Sequence, residues 1–144
     1  MIKKKIFVSF DYDNDKHYKY LLEAWDANDD FEFVFNDKTP TEINSDNIGR
    51  IKAGLTTKIK EATHTLIIVG KEANKQHKDH ELIGYRNWIN FEVAKSIEEG
   101  KQVAAVKLES GNTLPEEIFE GEYSSVTGYT EDNIIDVINR APQN

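Results

Sequence analysis

Short apolar runs of four to seven residues recur along the chain and have the composition of β-strands. They are rich in Val, Ile and Phe, and polar or glycine-containing stretches bound them. The run that ends at Val69 is the most hydrophobic of the chain, and its continuity is typical of a central strand covered on both faces. The predicted strands are residues 5–10, 31–35, 65–69, 102–108 and, with a weaker pattern, 123–127.

Between these strands, apolar residues repeat every three or four positions, which predicts amphipathic helices. The predicted helices cover roughly residues 15–27, 48–62, 87–99 and 131–140. The first stripe consists of Tyr18, Leu21, Leu22 and Trp25. Residues suited to cap the later helices are Ser45 or Asp46, Gly100 and Thr130. Residues 36–45 are polar, contain one proline and are predicted to form a loop.

The alternation of strands and helices predicts βαβ units, and therefore an α/β fold with a parallel sheet. We expect a doubly wound, mostly parallel five-stranded sheet with helices on both faces, formed by a single domain over residues 1–144. Ligands of such sheets bind at the carboxyl ends of the strands. The loops after Phe10, Phe35, Gly70 and Leu108 are therefore the segments to examine.

Composition narrows the classes of partner. The net charge of −8 disfavours nucleic acid as a main partner, because an acidic surface repels phosphate backbones. The absence of cysteine excludes disulfides, thiolate zinc sites and cysteine nucleophiles, and it suits a reducing cytoplasm, where we expect the protein to lie. No segment has the apolar stretch of a signal peptide or the ~20 apolar residues of a membrane span, so no membrane association is expected.

Several familiar sites are missing from the sequence. The phosphate-binding motifs GxGxxG and GxxxxGK[ST] are absent, as is the GxSxG nucleophile elbow. A phosphorylated receiver domain would need an aspartate where the central strand ends, but Gly70 and Lys71 follow the strand. The HKDH stretch from His77 to His80 has metal-binding residue types, yet in a polar loop such residues more often face solvent, and we expect no metal.

The segment RNWINFEVAKSIEEGK, residues 86–101, places one carboxylate among apolar side chains. On a helix, Trp88 lies one turn before Glu92 and on the same face. Two interpretations stay open at this point. Burial would raise the proton affinity of Glu92, with Lys95 opposing this effect, or Glu92 is an ordinary surface residue paired with Lys95, which spacing alone favours.

Three ordered blocks of sequence resemble the TIR-like family, in particular the short bacterial TIR proteins of the Thoeris antiphage systems. These blocks are KKIFVSFDYDND at residues 4–15, Ile51–Leu55 followed by THTLIIVGKEAN at 63–74, and WINFEVAKSIEEGKQVAAV at 88–106. Their order and spacing agree with that family over most of residues 3–108. Residues 76–86 form a longer segment than in typical members, and the C-terminal third matches only loosely.

The resemblance implies an enzyme that cleaves the nicotinamide–ribose bond of NAD and makes a nucleotide signal in antiphage defence. By position, Glu92 matches the catalytic glutamate and Trp88 the aromatic residue before it, while Ser9, Phe10 and Asp11 match the loop beside the ligand. NAD would be the substrate, with no cofactor, and the product would be ADP-ribose or a cyclic isomer. A homo-oligomer and a phage-derived trigger are compatible with this function.

Two other functions remain open on the sequence alone. The first is a catalytically silent TIR-like interaction module, in which helix faces would bind partners and Glu92 would be a surface residue. The second is an enzyme similar to nucleoside deoxyribosyltransferases, which share the fold class and a glycosidic chemistry centred on a glutamate.

Overall fold

The computed structural model describes residues 3–24, 30–35 and 47–144, and within these ranges the chain forms the expected five strands. The observed bounds differ from the predicted ones by at most one residue at either end. The strands are β1 (Lys4–Ser9), β2 (Phe31–Phe35), β3 (His64–Val69), β4 (Gln102–Lys107) and β5 (Ser124–Thr127).

The strands form one sheet in the order β2-β1-β3-β4-β5, and every neighbouring pair is parallel. From β1 the chain first moves outward to β2 and then returns to the other side of β1 to form β3. The winding direction therefore reverses between β1 and β3, the place where open α/β sheets bind their ligands.

The helices are α1 (Tyr12–Ala24), α2 (Ile48–Glu61), α3 (His80–Ile83), α4 (Trp88–Glu98) and α5 (Glu131–Arg140), and a 3₁₀ helix covers Glu116–Glu120. α1 begins three residues before the predicted start because the carboxylate of Asp11 accepts a hydrogen bond from the backbone N–H of Asp13 and caps it. The predicted end of this helix with Trp25, the loop 36–45 and the caps Ser45 and Asp46 lie outside the described residues.

Helices cover both faces of the sheet, as the doubly wound prediction requires. Ile6 and Val8 of β1 pack in one cluster with Leu22 of α1 and Ile138 of α5. Phe7, which points the other way, packs with buried residues of α2 and α4. The alternation of side chains along β1 thus supplies both layers of the core, and the predicted fold class is confirmed.

Two short elements were not predicted. α3 lies within the polar segment after β3, where it buries Ile83 and ends at Gly84, whose φ of 85° is left-handed. The 3₁₀ helix buries Ile118 in a cluster with Ile89 and Val93 of α4.

The predicted helix caps Gly100 and Thr130 are confirmed: Gly100 has a φ of 71°, and the Thr130 side chain accepts a hydrogen bond from the backbone of Asn133. No helix among the described residues has the length and apolar character needed to cross a membrane.

Candidate functional site

A buried serine–glutamate pair lies at the carboxyl end of β1. Ser9, the last residue of that strand, donates a hydrogen bond of 2.8 Å from its hydroxyl to Oε1 of Glu92 on α4. Ser9 is fully buried and Glu92 is 2% exposed. Lys95 instead pairs with Glu98 at 3.0 Å, so the interpretation of Glu92 as a surface residue paired with Lys95 is wrong.

The second carboxyl oxygen of Glu92, Oε2, is buried and has no hydrogen-bond partner among the described residues. Burial raises the pKa of Glu92 from 4.5 to about 8, and the hydrogen bond from Ser9 opposes this rise in part. In this arrangement the group is therefore mostly protonated at neutral pH. An unpaired, buried carboxyl is costly to a fold, which makes the position a candidate for function.

A pocket of about 270 Å³ opens beside this pair, where the loops after β1 and β3 meet the first turn of α4. Phe10, next to Ser9, and Trp88, one turn before Glu92, both contribute to its wall. The described residues that line it are Phe10, Asp11, Asp13, Asn14, Glu72, Lys75, Gln76, His77, Lys78, Asn87, Trp88 and Ile89. Glu92 and Ser9 are buried and are not among the described lining residues, so a ligand in the pocket does not contact the carboxyl in this arrangement.

The structure brings together all five residues singled out from the sequence, in two layers. Glu92 and Ser9 form the buried pair, whereas Phe10, Asp11 and Trp88 line the pocket. The loop after Leu108, which was also expected at this edge, contributes no described residue to the lining, and the loop after Phe35 lies outside the described residues.

The carboxylate of Asp11 stabilises the start of α1 beside the pocket. Its Oδ1 accepts the hydrogen bond that caps α1, and its Oδ2 accepts a second bond of 2.7 Å from the side-chain amide of Asn14. Both oxygens are thus occupied. Ligand contact through this carboxylate stays a prediction, since it would have to compete with the cap.

Asparagine side chains that the sequence analysis did not single out connect the loop after β3 to α4. Asn87 caps α4 by accepting a hydrogen bond from the backbone of Asn90, and its side-chain amide donates to the carbonyls of Ala73 and Lys75, each at 2.9 Å. The side-chain amide of Asn90 in turn donates to Asn74 at 3.0 Å. The loop after β3 is thereby tied to the helix that carries Glu92. An asparagine directly before the WINF run is the N-cap signal that would have indicated this.

A second buried carboxyl, that of Asp15 on α1, packs against the carboxyl end of β3. Asp15 is 7% exposed, and its Oδ2 has no hydrogen-bond partner among the described residues. It lies so close to Gly70 that a Cβ at that glycine would be 2.1 Å from Oδ2. Burial raises the pKa of Asp15 to about 6, the charge of Asp11 adds to the rise, and His17 opposes it.

The histidines of the HKDH stretch are not part of a metal-binding cluster among the described residues. In the part of the chain that the structure describes, no group of three or more His, Asp or Glu side chains is arranged to hold a metal ion. His77 lines the pocket, while His80 begins α3.

Comparison with known families identifies the domain. The family model of the TIR-like domain of the Thoeris protein ThsB matches residues 7–113, which include the buried pair and the residues described as lining the pocket. The chain belongs to this family. No curated protein sequence matches this TIR-like domain significantly.

Solved structures share the fold of this TIR-like domain. It is similar to a 2-deoxyribosyltransferase from Bacillus psychrosaccharolyticus, with a TM-score of 0.55 and 15% identity over 92% of this chain and 90% of that one. It is also similar to a prokaryotic SEFIR domain, with a TM-score of 0.54 and 15% identity over 95% of this chain and 94% of that one. At such identities these likenesses concern the fold alone.

Proposed function

We propose that this TIR-like domain is a cytoplasmic enzyme that cleaves the bond between nicotinamide and ribose in NAD, with Glu92 as its essential carboxyl. Membership of the Thoeris TIR-like family supports a role in antiphage defence. The observation that carries the enzymatic proposal is the unpaired, buried oxygen of Glu92, one helical turn after Trp88, which lines a pocket at the switch point of the sheet.

The reaction needs a negative charge beside the ribose and aromatic side chains that exclude water. The C1′–N bond of NAD breaks, its electron pair goes to the pyridine nitrogen, and nicotinamide leaves as a neutral molecule. The ribose then carries an oxocarbenium-like positive charge, which the carboxylate of Glu92 would stabilise. Water attack on C1′ with loss of one proton gives ADP-ribose, whereas attack by a hydroxyl of the same molecule gives a cyclic isomer.

The raised pKa of Glu92 fits this role because the substrate itself changes the environment of the group. In the free protein, burial keeps the carboxyl protonated at neutral pH. A cationic nicotinamide ring placed beside it would lower its pKa and favour the carboxylate, since an opposite charge stabilises the ionised form. Binding of NAD would therefore release a proton from the protein before the bond breaks.

The covered position of Glu92 leads us to expect slow turnover by the isolated domain. Phe10 and Trp88 are 9% and 7% exposed, and the wall to which they belong has to open before the ribose can approach the carboxyl. A phage-derived trigger or assembly into a homo-oligomer would act by favouring the open arrangement. No cofactor is needed for this chemistry.

Release of nicotinamide from NAD by purified protein tests the proposal. We expect Glu92→Gln to lower the rate at least about 100-fold, because the variant keeps the shape but cannot carry the negative charge. Glu98→Gln is the matched control, since Glu98 belongs to the same helix but is exposed, and it should turn over NAD like the wild type. Trp88→Ala should reduce both turnover and stability, because Trp88 lines the pocket and packs edge-on against Phe91.

Equal rates for Glu92→Gln and the wild type would refute the assignment. The assay is run at high protein concentration and also in phage-infected cells, so that an untriggered domain is not mistaken for an inert one. Base exchange on free deoxynucleosides without action on NAD would indicate deoxyribosyltransferase chemistry instead.

The second candidate is a catalytically silent interaction module. Glu92 is not the surface residue that this alternative assumed, but it is also absent from the described lining of the pocket, and this absence favours a silent domain. In that case NAD would stay intact in infected cells. Antiphage defence would then be unaffected by Glu92→Gln. If the domain is an enzyme, the same substitution should abolish defence.

A further inference from the structure

The loop after β3 provides the cationic wall of the pocket. Three of its side chains, Lys75, His77 and Lys78, line the same pocket as Phe10 and Trp88. Both lysines are exposed and His77 is half-buried, so their polar atoms are available to a ligand. The pocket lining thus combines aromatic side chains with hydrogen-bond donors.

His77 is held in one tautomer by the backbone around it. Its Nδ1 accepts a hydrogen bond of 2.9 Å from the backbone N–H of Asp79, so in the neutral ring the proton lies on Nε2. The backbone N–H of His77 also donates to the carbonyl of Arg86 at 2.8 Å, which fixes the residue across the loop. Nε2–H has no partner among the described residues and remains as a donor for a ligand.

The lining also contains three acidic residues, Asp11, Asp13 and Glu72. The carboxylate of Asp11 accepts hydrogen bonds from the backbone of Asp13 and from Asn14. Asp13 and Glu72 are exposed, as are both lysines, so solvent screens charges of both signs and the subsite depends on donors in direct contact with the ligand. The backbone of the loop is fixed by Asn87, whose side-chain amide donates to the carbonyl of Lys75 at 2.9 Å, so the loop is held in place before a ligand arrives.

We propose that Lys75, His77 and Lys78 form a subsite for the diphosphate of a dinucleotide, with the nicotinamide ring on the aromatic side of the same pocket. The identity of the substrate rests on the proposed function. Two ammonium groups and one N–H supply the charge-assisted hydrogen bonds that phosphate oxygens accept. The pocket volume of about 270 Å³ suits one nucleoside half of the substrate, which leaves the diphosphate for the solvent-exposed lysines of the lining.

Calorimetric titration with ADP-ribose tests the subsite, because this ligand carries the diphosphate and its binding needs no cleavage. We expect the double variant Lys75→Gln/Lys78→Gln to raise the Kd for ADP-ribose about tenfold or more. The matched control is Lys3→Gln/Lys71→Gln, which removes the same charge from exposed lysines outside the pocket lining and should change the Kd less than about twofold. Equal effects of the two pairs, or no binding of ADP-ribose by the wild type, would overturn the subsite.

Two substitutions at His77 separate ligand binding from loop structure. His77→Asn keeps an acceptor near the position of Nδ1 for Asp79 but lacks the distal donor, so it should raise the Kd about fivefold while unfolding in urea like the wild type. His77→Gln places an amide N–H near the position of Nε2 and should bind ADP-ribose more tightly than His77→Asn. The reverse order of the two affinities would contradict a role for Nε2–H.

Two further measurements distinguish this subsite from a general anion site and from the proposed function. Inorganic pyrophosphate should bind at least about tenfold more weakly than ADP-ribose, and equal affinities would overturn the nucleotide assignment.

With NAD, the double lysine variant should raise KM and leave kcat nearly unchanged. If the wild type binds ADP-ribose through these residues but never cleaves NAD, the proposed function fails and the subsite stands. If NAD is cleaved with an unchanged KM, the subsite fails and the function stands.

Discussion

The burial of Glu92 predicts an unusual dependence of stability on pH. In the unfolded chain this carboxyl loses its proton near pH 4.5, whereas in the folded protein it keeps the proton up to about pH 8. Between these values the unfolded state binds fewer protons than the native state, so the free energy of unfolding falls as pH rises. The stabilising contribution is complete below pH 4.5 and is lost as pH rises through about 8.

The magnitude follows from the pKa values. Each pH unit over which only the unfolded chain is ionised lowers the free energy of unfolding by about 1.36 kcal/mol. Over the interval from pH 4.5 to about 8 this loss is on the order of 5 kcal/mol, a large part of the total stability of a small domain. Glu92→Gln removes the titration. Its own cost, about 1–3 kcal/mol for an amide N–H without a partner, is the same at every pH.

Urea unfolding of the wild type and Glu92→Gln at pH 5, 6, 7 and 8 measures the effect. Relative to the wild type, the variant should gain about 1.36 kcal/mol in the free energy of unfolding for each pH unit from about 5 to 7. The gain should be smaller between about pH 7 and 8, where folded Glu92 begins to lose its proton. Asp15 and His64 also have shifted pKa values, but they titrate in both proteins and drop out of the difference. Glu98→Gln should stay parallel to the wild type, because this carboxylate is exposed. Parallel curves for Glu92→Gln would refute a buried, protonated Glu92.

Two further substitutions examine the same edge of the sheet. Ser9→Ala removes the hydrogen bond that Ser9 donates to the carboxyl of Glu92, so the pKa of Glu92 should rise further and stability should fall by about 1–2 kcal/mol. Carboxyl titration by NMR gives the pKa, and a lowered value would contradict the geometry. Gly70→Ala should destabilise the domain by about 1–3 kcal/mol, because the new Cβ would lie 2.1 Å from Oδ2 of Asp15. Most of that loss should disappear in an Asp15→Ala background, and additive losses in the double-mutant cycle would show that the contact is not responsible.

The elements that were predictable from sequence are those whose signals are local. α4 has a capping asparagine directly before it and, two residues after its end, a glycine at φ 71°, and its apolar residues are regularly spaced. The continuous apolar run of β3 likewise indicated a strand covered on both faces, and every residue from His64 to Val69 is buried. Such patterns depend on backbone conformation and side-chain period, which a single segment already contains.

The elements that escaped prediction depend on contacts between distant segments. α3 is four residues long and buries only Ile83, which leaves no periodicity to detect. The burial of Glu92 was equally hidden, since the Lys95 spacing is common to surface helices and the true partner, Ser9, lies 83 residues away in the sequence. The sequence resemblance pointed to Glu92, but its protonation and its covered position follow only from the packed structure.

The positions of the two unpaired carboxyl oxygens argue that this edge of the sheet is kept for function at the expense of stability. Among the described residues, the buried side-chain oxygens without a partner are those of Glu92, beside the end of β1, and Asp15, beside the end of β3. These are the two strands between which the winding of the sheet reverses. Packing alone would favour apolar residues at both places, because an unpaired buried carboxyl destabilises a fold. The two unpaired carboxyl oxygens are expected to lie together at the switch point if a ligand forms a hydrogen bond with at least one of them. A ligand that does so must stabilise the folded domain when it binds.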